Sequence, residues 1–336
     1  MNFRRLIFVS ALVAAVAACK DDDETAALPG LDGTLVFTEV PEFISPGETL
    51  TMKPSGLTHP DGGEIGYYWK VSPVMDSYDT TRFLNGLDKY GNPSDGSFSL
   101  KFPSDLDSLD TYTIYCYAYA TGYSGSSATT YTTIVKGGKD GSIKGTATPA
   151  AGSMTVDGII YYTASIGEQT WTLNNLSAGD AGIPFRNAPA MSDVFGNFYN
   201  QQESTEACAL LGEGWRLPSD EDWDTLVNNV SGNGGTVAAA MMADATFNGY
   251  TMWEYWPAVG EITNSSRFSA IPAGYTNIGA SFDGVYRYAA FWTSSKTEDG
   301  TMGIYRYLVN GEPEMFKGEG DPQSFGASVR CVKTAE

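Results

Sequence analysis

Residues 214–226 read GWRLPSDEDWDTL and hold the chain's densest internal group of carboxylates: Asp220, Glu221, Asp222 and Asp224. Such a knot suits either acid/base chemistry or the start of a helix. Pro218 ends an extended segment, and Ser219 stands where an N-cap belongs. Asp222 falls at the third helical position, where its carboxylate can reach back to the cap amide. Asp220, Glu221 and Asp222 then occupy the first turn, where free amides and the helix dipole favour anions by roughly 0.3–1 kcal/mol each. Downstream, Trp223, Leu226, Val227 and Val230 recur at i, i+3, i+4 and i+7, one apolar stripe. The stretch predicts a capped amphipathic helix, not a catalytic or metal-binding cluster.

Upstream of this helix, a shorter one is expected over Gln201–Leu211, stopped by Gly212 or Gly214. Before it, VDGIIYYTASIGEQTWTLNNL (156–176) reads as a hairpin with strands near Ile159–Ser165 and Thr170–Leu173. From Arg267 onward the pattern is short strands with glycine-rich turns. An α+β domain is therefore expected over 154–336.

Residues 33–136 read as all β. Strands are predicted over Thr34–Thr38, Thr49–Lys53, Ile65–Val71, Ser97–Phe102, Thr111–Ala120 and Ala128–Val135, separated by turn signals such as SPGE, HPDGG and ATGYSG. Along 111–120 alternation places Tyr112, Ile114, Cys116 and Ala118 on one face and Tyr115, Tyr117 and Tyr119 on the other. With Trp69 in YYWKV, this segment resembles an immunoglobulin-like or PKD-like sandwich, in which Cys116 would be a buried free thiol. The outward tyrosines are expected to pack against neighbouring strands. Residues 137–153, rich in Gly, Ala and Ser, read as a linker.

The first eighteen residues carry Arg4 and Arg5 ahead of an apolar run from Leu6 to Ala18, too short to span a bilayer and suited to a signal peptide. The run ends in Val16-Ala17-Ala18-Cys19, which resembles a bacterial lipobox, so Cys19 is the expected lipidation site. The acidic tether that follows (19–32) resembles the export signal of Bacteroidota surface lipoproteins. These features imply an outer-membrane lipoprotein facing the cell exterior.

Removing Arg4 and Arg5 would take the formal charge from −20 by two further units to −22. That excess of anions repels nucleic acid and anionic lipid surfaces, so no nucleic-acid partner is expected. With Cys19 lipidated, Cys116, Cys208 and Cys331 remain, enough for one disulfide.

Within 156–334 the blocks FGNFYN, EAC, GWRLPSDEDWDTL, FSAIPAGY, FWTSS, YRYL and FGASVRCVK follow in the order and spacing of the Fibrobacter succinogenes major paralogous domain, which this region closely resembles. The resemblance implies a C-type-lectin-like fold related to the formylglycine-generating enzymes. It also implies a disulfide between Cys208 and Cys331. A second cysteine pair common in the family is missing from FRNAPAMSD (185–193), so packing alone must hold that loop.

Catalytic chemistry finds little support. The sole histidine, His59, lies in a turn of the first domain, which argues against Ser-His-Asp and Cys-His arrangements. The thiols that serve oxidation in the related enzymes would here be tied up in the disulfide. Glu312-Pro313-Glu314 and Asp321-Pro322-Gln323 only superficially resemble calcium-lectin motifs, and Asp105, Asp107 and Asp110 lack the glycine and final glutamate of a calcium loop. No catalytic residue, metal or cofactor is expected.

Binding residues are sought in NGYTMWEYWPAVGEITNSSR (248–267). Tyr250, Trp253, Tyr255 and Trp256 offer flat faces, and Glu254, Asn264 and Arg267 offer polar handles for a sugar ring or a protein hot spot. The same aromatics would equally serve as a second core. Extended geometry would set Trp253 and Tyr255 on one side and Glu254 and Trp256 on the other. The expected protein is a non-enzymatic surface lipoprotein, held by outer-membrane lipid, that binds a glycan or a surface protein for adhesion or nutrient capture. A structural part of a surface assembly such as a pilus is the alternative, and an enzyme comes third.

Overall fold

The computed structural model describes residues 27–72, 81–84, 95–102, 111–135, 152–231, 235–247 and 250–334. The signal segment, Cys19, most of the acidic tether, residues 137–151 of the linker and the Asp105–Asp107–Asp110 group lie outside them. The chain divides into two units, one reaching Glu42 and continuing over Pro46–Ile134, the other formed by Phe43–Ser45 and the chain from Val135. Among the described residues no helix is long and apolar enough to cross a membrane.

The first unit is built of antiparallel strands. Its main sheet places Gly66–Ser72 between Thr81–Leu84 and Thr111–Tyr119, and Ser126–Ile134 continues it. Two further pairs join Asp32–Phe37 to Pro54–Thr58 and Thr49–Met52 to Phe98–Lys101. The core follows the alternation: Tyr112, Ile114, Cys116 and Ala118 are all buried. Trp69 sits directly across from Cys116, stacks on Phe98 at 5.7 Å and donates its indole N–H to the Gly96 carbonyl at 2.8 Å. Cys116 is a free thiol, and burial pushes it up to about 12. The tyrosines of the other face depart from expectation, since Tyr115 and Tyr117 are exposed rather than packed. His59 is a turn residue whose Nδ1 accepts the Asp61 amide.

The second unit is assembled around a three-stranded sheet of Tyr288–Lys296, Gly303–Val309 and Phe316–Gly320. A second sheet orders Gly152–Val156, Ile159–Ile166, Gln169–Thr172 and the last strand, Val332–Thr334. The hairpin thus begins at Gly152, inside the segment expected to be linker, because Gly152 and Ser153 pair with Thr163 and Tyr162. Helices cover Gln201–Ala209, Asp220–Val230 and Val237–Met241. The last has no polar face to mark it in sequence, since three alanines and a methionine follow Val237 and all four are buried. The helix Asp220–Val230 turns Trp223, Leu226 and Val230 into a core shared with Trp171, Phe268 and Phe291. In 185–193, Phe185, Ala188, Ala190 and Met191 are buried and hold the loop that lacks a second cysteine pair.

Candidate functional site

The carboxylate knot resolves into a cap and an ion-pair network. Ser219 Oγ accepts the Asp222 amide, and Asp222 accepts the Ser219 amide in return. Asp222 is also gripped by both terminal nitrogens of Arg216. Asp220 lies under the strands and receives Arg306 Nε and, at 2.9 Å, Lys317 Nζ. Asp224 takes the other end of the Arg306 guanidinium at 2.7 Å. Burial alone would raise the Asp220 carboxyl; Arg306 and Lys317 outweigh it and hold the group below its ordinary value. These contacts lock helix to sheet, while Glu221 and much of Asp224 stay in solvent. The basic half of the network was missed in sequence; the signal available was Arg306, a cation between Tyr305 and Tyr307 in a strand.

Arg330 is 1% exposed. It donates to Asn175 Oδ1 at 2.7 Å and to the carbonyls of Thr172, Phe268 and Ser269 at 3.1, 2.8 and 3.0 Å. Beside it the disulfide Cys208–Cys331 ties the helix Gln201–Ala209 to the C-terminal segment. Among the described residues no group of three or more His, Cys, Asp or Glu side chains is placed to hold a metal ion.

The candidate loop divides. Asn248 and Gly249 lie outside the described residues. Tyr250 begins a two-residue strand paired with Thr246–Phe247 and is 72% exposed. Trp253 is 1% exposed and donates its indole N–H to the Ala270 carbonyl at 2.9 Å, so it is core and not a binding residue. Tyr255 and Trp256 are 73% and 44% exposed. The expected alternation fails because the chain bends at Met252 and Trp253, which are both buried, and leaves Glu254, Tyr255 and Trp256 all exposed. A turn follows, in which the Trp256 carbonyl accepts the amides of Val259 and Gly260. The Trp256 indole lies against Gly311, where an added Cβ would stand 3.3 Å from the ring and where φ is +91°. Asn264 is structural, its amide side chain clasping the backbone N–H and Oγ of Ser269 at 2.9 and 2.8 Å. Glu254 is exposed and meets Asn310 at 3.5 Å; Arg267 is exposed at a left-handed backbone position. Of the seven candidates, Tyr250, Glu254, Tyr255, Trp256 and Arg267 therefore face solvent.

Residues 164–333 match the Fibrobacter succinogenes major domain, half of the chain. The chain belongs to that family. The capped helix, the Arg306 network, Arg330, both disulfide cysteines and the exposed aromatic loop all lie inside the matched Fibrobacter succinogenes major domain; the hairpin strand Gly152–Val156 lies just before it. No curated protein matches the chain. Among solved structures, a superoxide reductase (neelaredoxin) from Ignicoccus hospitalis is 16% identical over 30% of this chain and 80% of its own, with a TM-score of 0.22.

Proposed function

We propose that the protein is a non-enzymatic, lipid-anchored surface lipoprotein that binds a glycan or protein ligand through its C-terminal domain. In this reading Cys19 carries the outer-membrane anchor, an immunoglobulin-like spacer follows, and a C-type-lectin-like module does the binding outside the cell. The observation that supports it is the exposed aromatic loop, with Tyr250, Tyr255 and Trp256 open to solvent on a domain whose buried cations are already committed to internal partners. Large, stiff aromatic side chains with a polar edge lose little entropy on binding and are enriched where partners dock. The chain's excess negative charge disfavours nucleic acid and polyanions.

The test probes an array of glycans, mucins and surface proteins with the detergent-purified full chain and with a Tyr255→Ala/Trp256→Ala variant. Saturable binding lost in the variant at an unchanged thermal midpoint is expected. Absence of any array ligand, together with co-purification in a surface filament, would replace this reading with an assembly role. Incorporation of labelled palmitate, lost in Cys19→Ala, and cleavage by protease added to intact cells test the anchor and its orientation.

A further inference from the structure

The turn that Trp256 and Glu254 touch at Gly311 and Asn310 joins two strands that carry a second aromatic surface. In the three-stranded sheet, Tyr305 and Tyr307 point to one face, and register places Trp292 and Ala290 opposite them on one side and Gly318 and Phe316 on the other. The opposite face holds Arg306 and the core-facing Phe291 and Leu308, and is closed by the helix Asp220–Val230. On the tyrosine face, Trp292 and Ala290 are buried, but Tyr305, Tyr307 and Phe316 remain partly exposed. Tyr275, Tyr288 and Phe325, also partly exposed, complete the surface.

These six rings touch in sequence. Phe316, Tyr307, Tyr288 and Tyr275 form a file with centroids 5.5, 5.9 and 5.8 Å apart. Tyr305 and Phe325 flank it, stacked on each other at 4.6 Å. Tyr305 stacks on Phe325 and Tyr307 on Phe316, at interplanar angles of 27° and 26°, and Tyr275 meets Tyr288 edge-on at 74°. A Cβ at Gly318 would fall 2.4 Å from Tyr305 Cζ, and one at Gly320 would fall 2.7 Å from the Phe325 ring. Glycine at these two positions leaves room for Tyr305 and Phe325 to lean over the strand Phe316–Gly320 while staying partly exposed.

Two features define the chemistry that fits. The hydroxyls of Tyr275, Tyr288, Tyr305 and Tyr307 meet no hydrogen-bond partner among the described residues, so four groups able both to donate and to accept remain open. They also lie near one another: burial raises the Tyr305 hydroxyl, and the phenols of Tyr307, Tyr275 and Tyr288 raise it further. Secondly, the positions of this face from Tyr288 through Tyr305 and Tyr307 to Phe316 carry no charge, in a chain with a net charge of −20. The flanking charges are Arg287, 5.1 Å from the Tyr288 ring, Asp283 near Tyr275, and Lys296 opposite Gly303 at the far end.

We propose that this tyrosine face is a second binding site, distinct from the 250–267 loop, that takes an extended neutral polysaccharide. A pyranose has an apolar C–H face that stacks on an aromatic ring and an edge of hydroxyls that exchanges hydrogen bonds with phenols. A file of rings in contact suits a chain of sugars better than a single one. The sheet positions of the face carry no charge, which matches a neutral glycan, and Arg287 beside Tyr288 is the group through which an anionic sugar would compete.

The test titrates the detergent-purified full chain with hexasaccharides of glucose, xylose and mannose, and with polygalacturonate, by calorimetry and intrinsic fluorescence. At least one neutral hexasaccharide should bind with little salt dependence, and polygalacturonate should not. Tyr307→Ala should weaken that binding about tenfold, as loss of one stacked ring implies. Should Tyr307→Ala fail to fold, the Tyr305→Phe/Tyr307→Phe variant keeps the rings and removes two hydroxyls, and a loss of about threefold is expected. Tyr255→Ala/Trp256→Ala should leave hexasaccharide binding intact. Loss in that variant instead would place the sugar on the loop, sinking this inference and sparing the proposed function. No neutral binding, preference for polygalacturonate, indifference to every tyrosine variant, or a dimer abolished by Tyr307→Ala would each overturn it.

Discussion

The Arg330 guanidinium lies 4.8 Å from the centre of the Phe268 ring, inside the domain and with no carboxylate partner among the described residues. Burial works against its charge. Four oxygens and the faces of Phe268 and Phe291 take the place of a counter-ion. The Thr172 and Phe268 carbonyls come from segments far apart in sequence, so one planar fork fastens several of the domain's turns. Arg330→Met would leave those acceptors without their donor at about 1–3 kcal/mol for each group not rescued by water. A loss of about 3 kcal/mol or more in urea unfolding, at unchanged slope, is expected. Arg330→Lys should recover little of it, because a single ammonium cannot serve four separated oxygens. A lysine variant as stable as the parent would show that charge alone suffices.

The disulfide Cys208–Cys331 closes a loop of 123 residues in sequence. The chain-entropy account assigns about 4–5 kcal/mol to a loop of this order. Cys208→Ala/Cys331→Ala should therefore unfold at markedly lower urea. In the native parent, Cys116 should resist alkylation at neutral pH, since burial both hides the thiol and disfavours the thiolate. Non-reducing peptide mapping that found Cys116 in a bridge would contradict the pairing.

Acid should loosen the helix-to-sheet network. Asp220 and Asp222 are both held below their ordinary values: burial opposes ionisation, and Arg306 with Lys317, or Arg216 with the Ser219 amide, more than compensates. A depressed carboxylate binds fewer protons in the folded state than in the unfolded one. Its stabilisation is thus present above the unfolded value, about 3.9, and is lost as pH falls through the folded one. The thermal midpoint should decline below about pH 4, and the decline should be shallower in Asp220→Asn, which lowers the neutral-pH midpoint instead. Equal acid slopes in parent and variant would remove Asp220 from the account.

What could be read in sequence follows interaction range. The Ser219 cap, the Trp223–Val230 stripe and the alternation at 111–119 depend on residues within one or two turns, and each was legible. The loop 248–267 was not, because extended geometry was assumed where the chain bends at Met252 and Trp253 and turns again after Trp256. The tyrosine face was hidden for another reason. Tyr288 and Tyr307 belong to one sheet and Tyr275 and Phe325 to another, and only the packing of the two sheets brings their rings together. Strand Gly303–Val309 did carry one local signal, aromatic residues alternating with Arg306.

The two tryptophans of the loop should separate cleanly. Trp253 is sealed beside Phe268 and Met241, and its indole N–H bonds the Ala270 carbonyl. Trp253→Ala removes a large buried side chain, so a loss of about 3–5 kcal/mol is expected, although the Ala270 carbonyl keeps the Ala243 amide. Trp256 keeps 44% of its surface in water and rests one side of its indole on Gly311. Its truncation uncovers a glycine rather than a core, and should cost about 1 kcal/mol or less. Tyr255→Ala, at 73% exposure, should fall within about 0.5 kcal/mol of the parent. Denaturation of the three variants under one condition checks the order. If Trp256→Ala proves as damaging as Trp253→Ala, the loop is core throughout, and its exposed aromatics cannot be the ligand surface proposed for it.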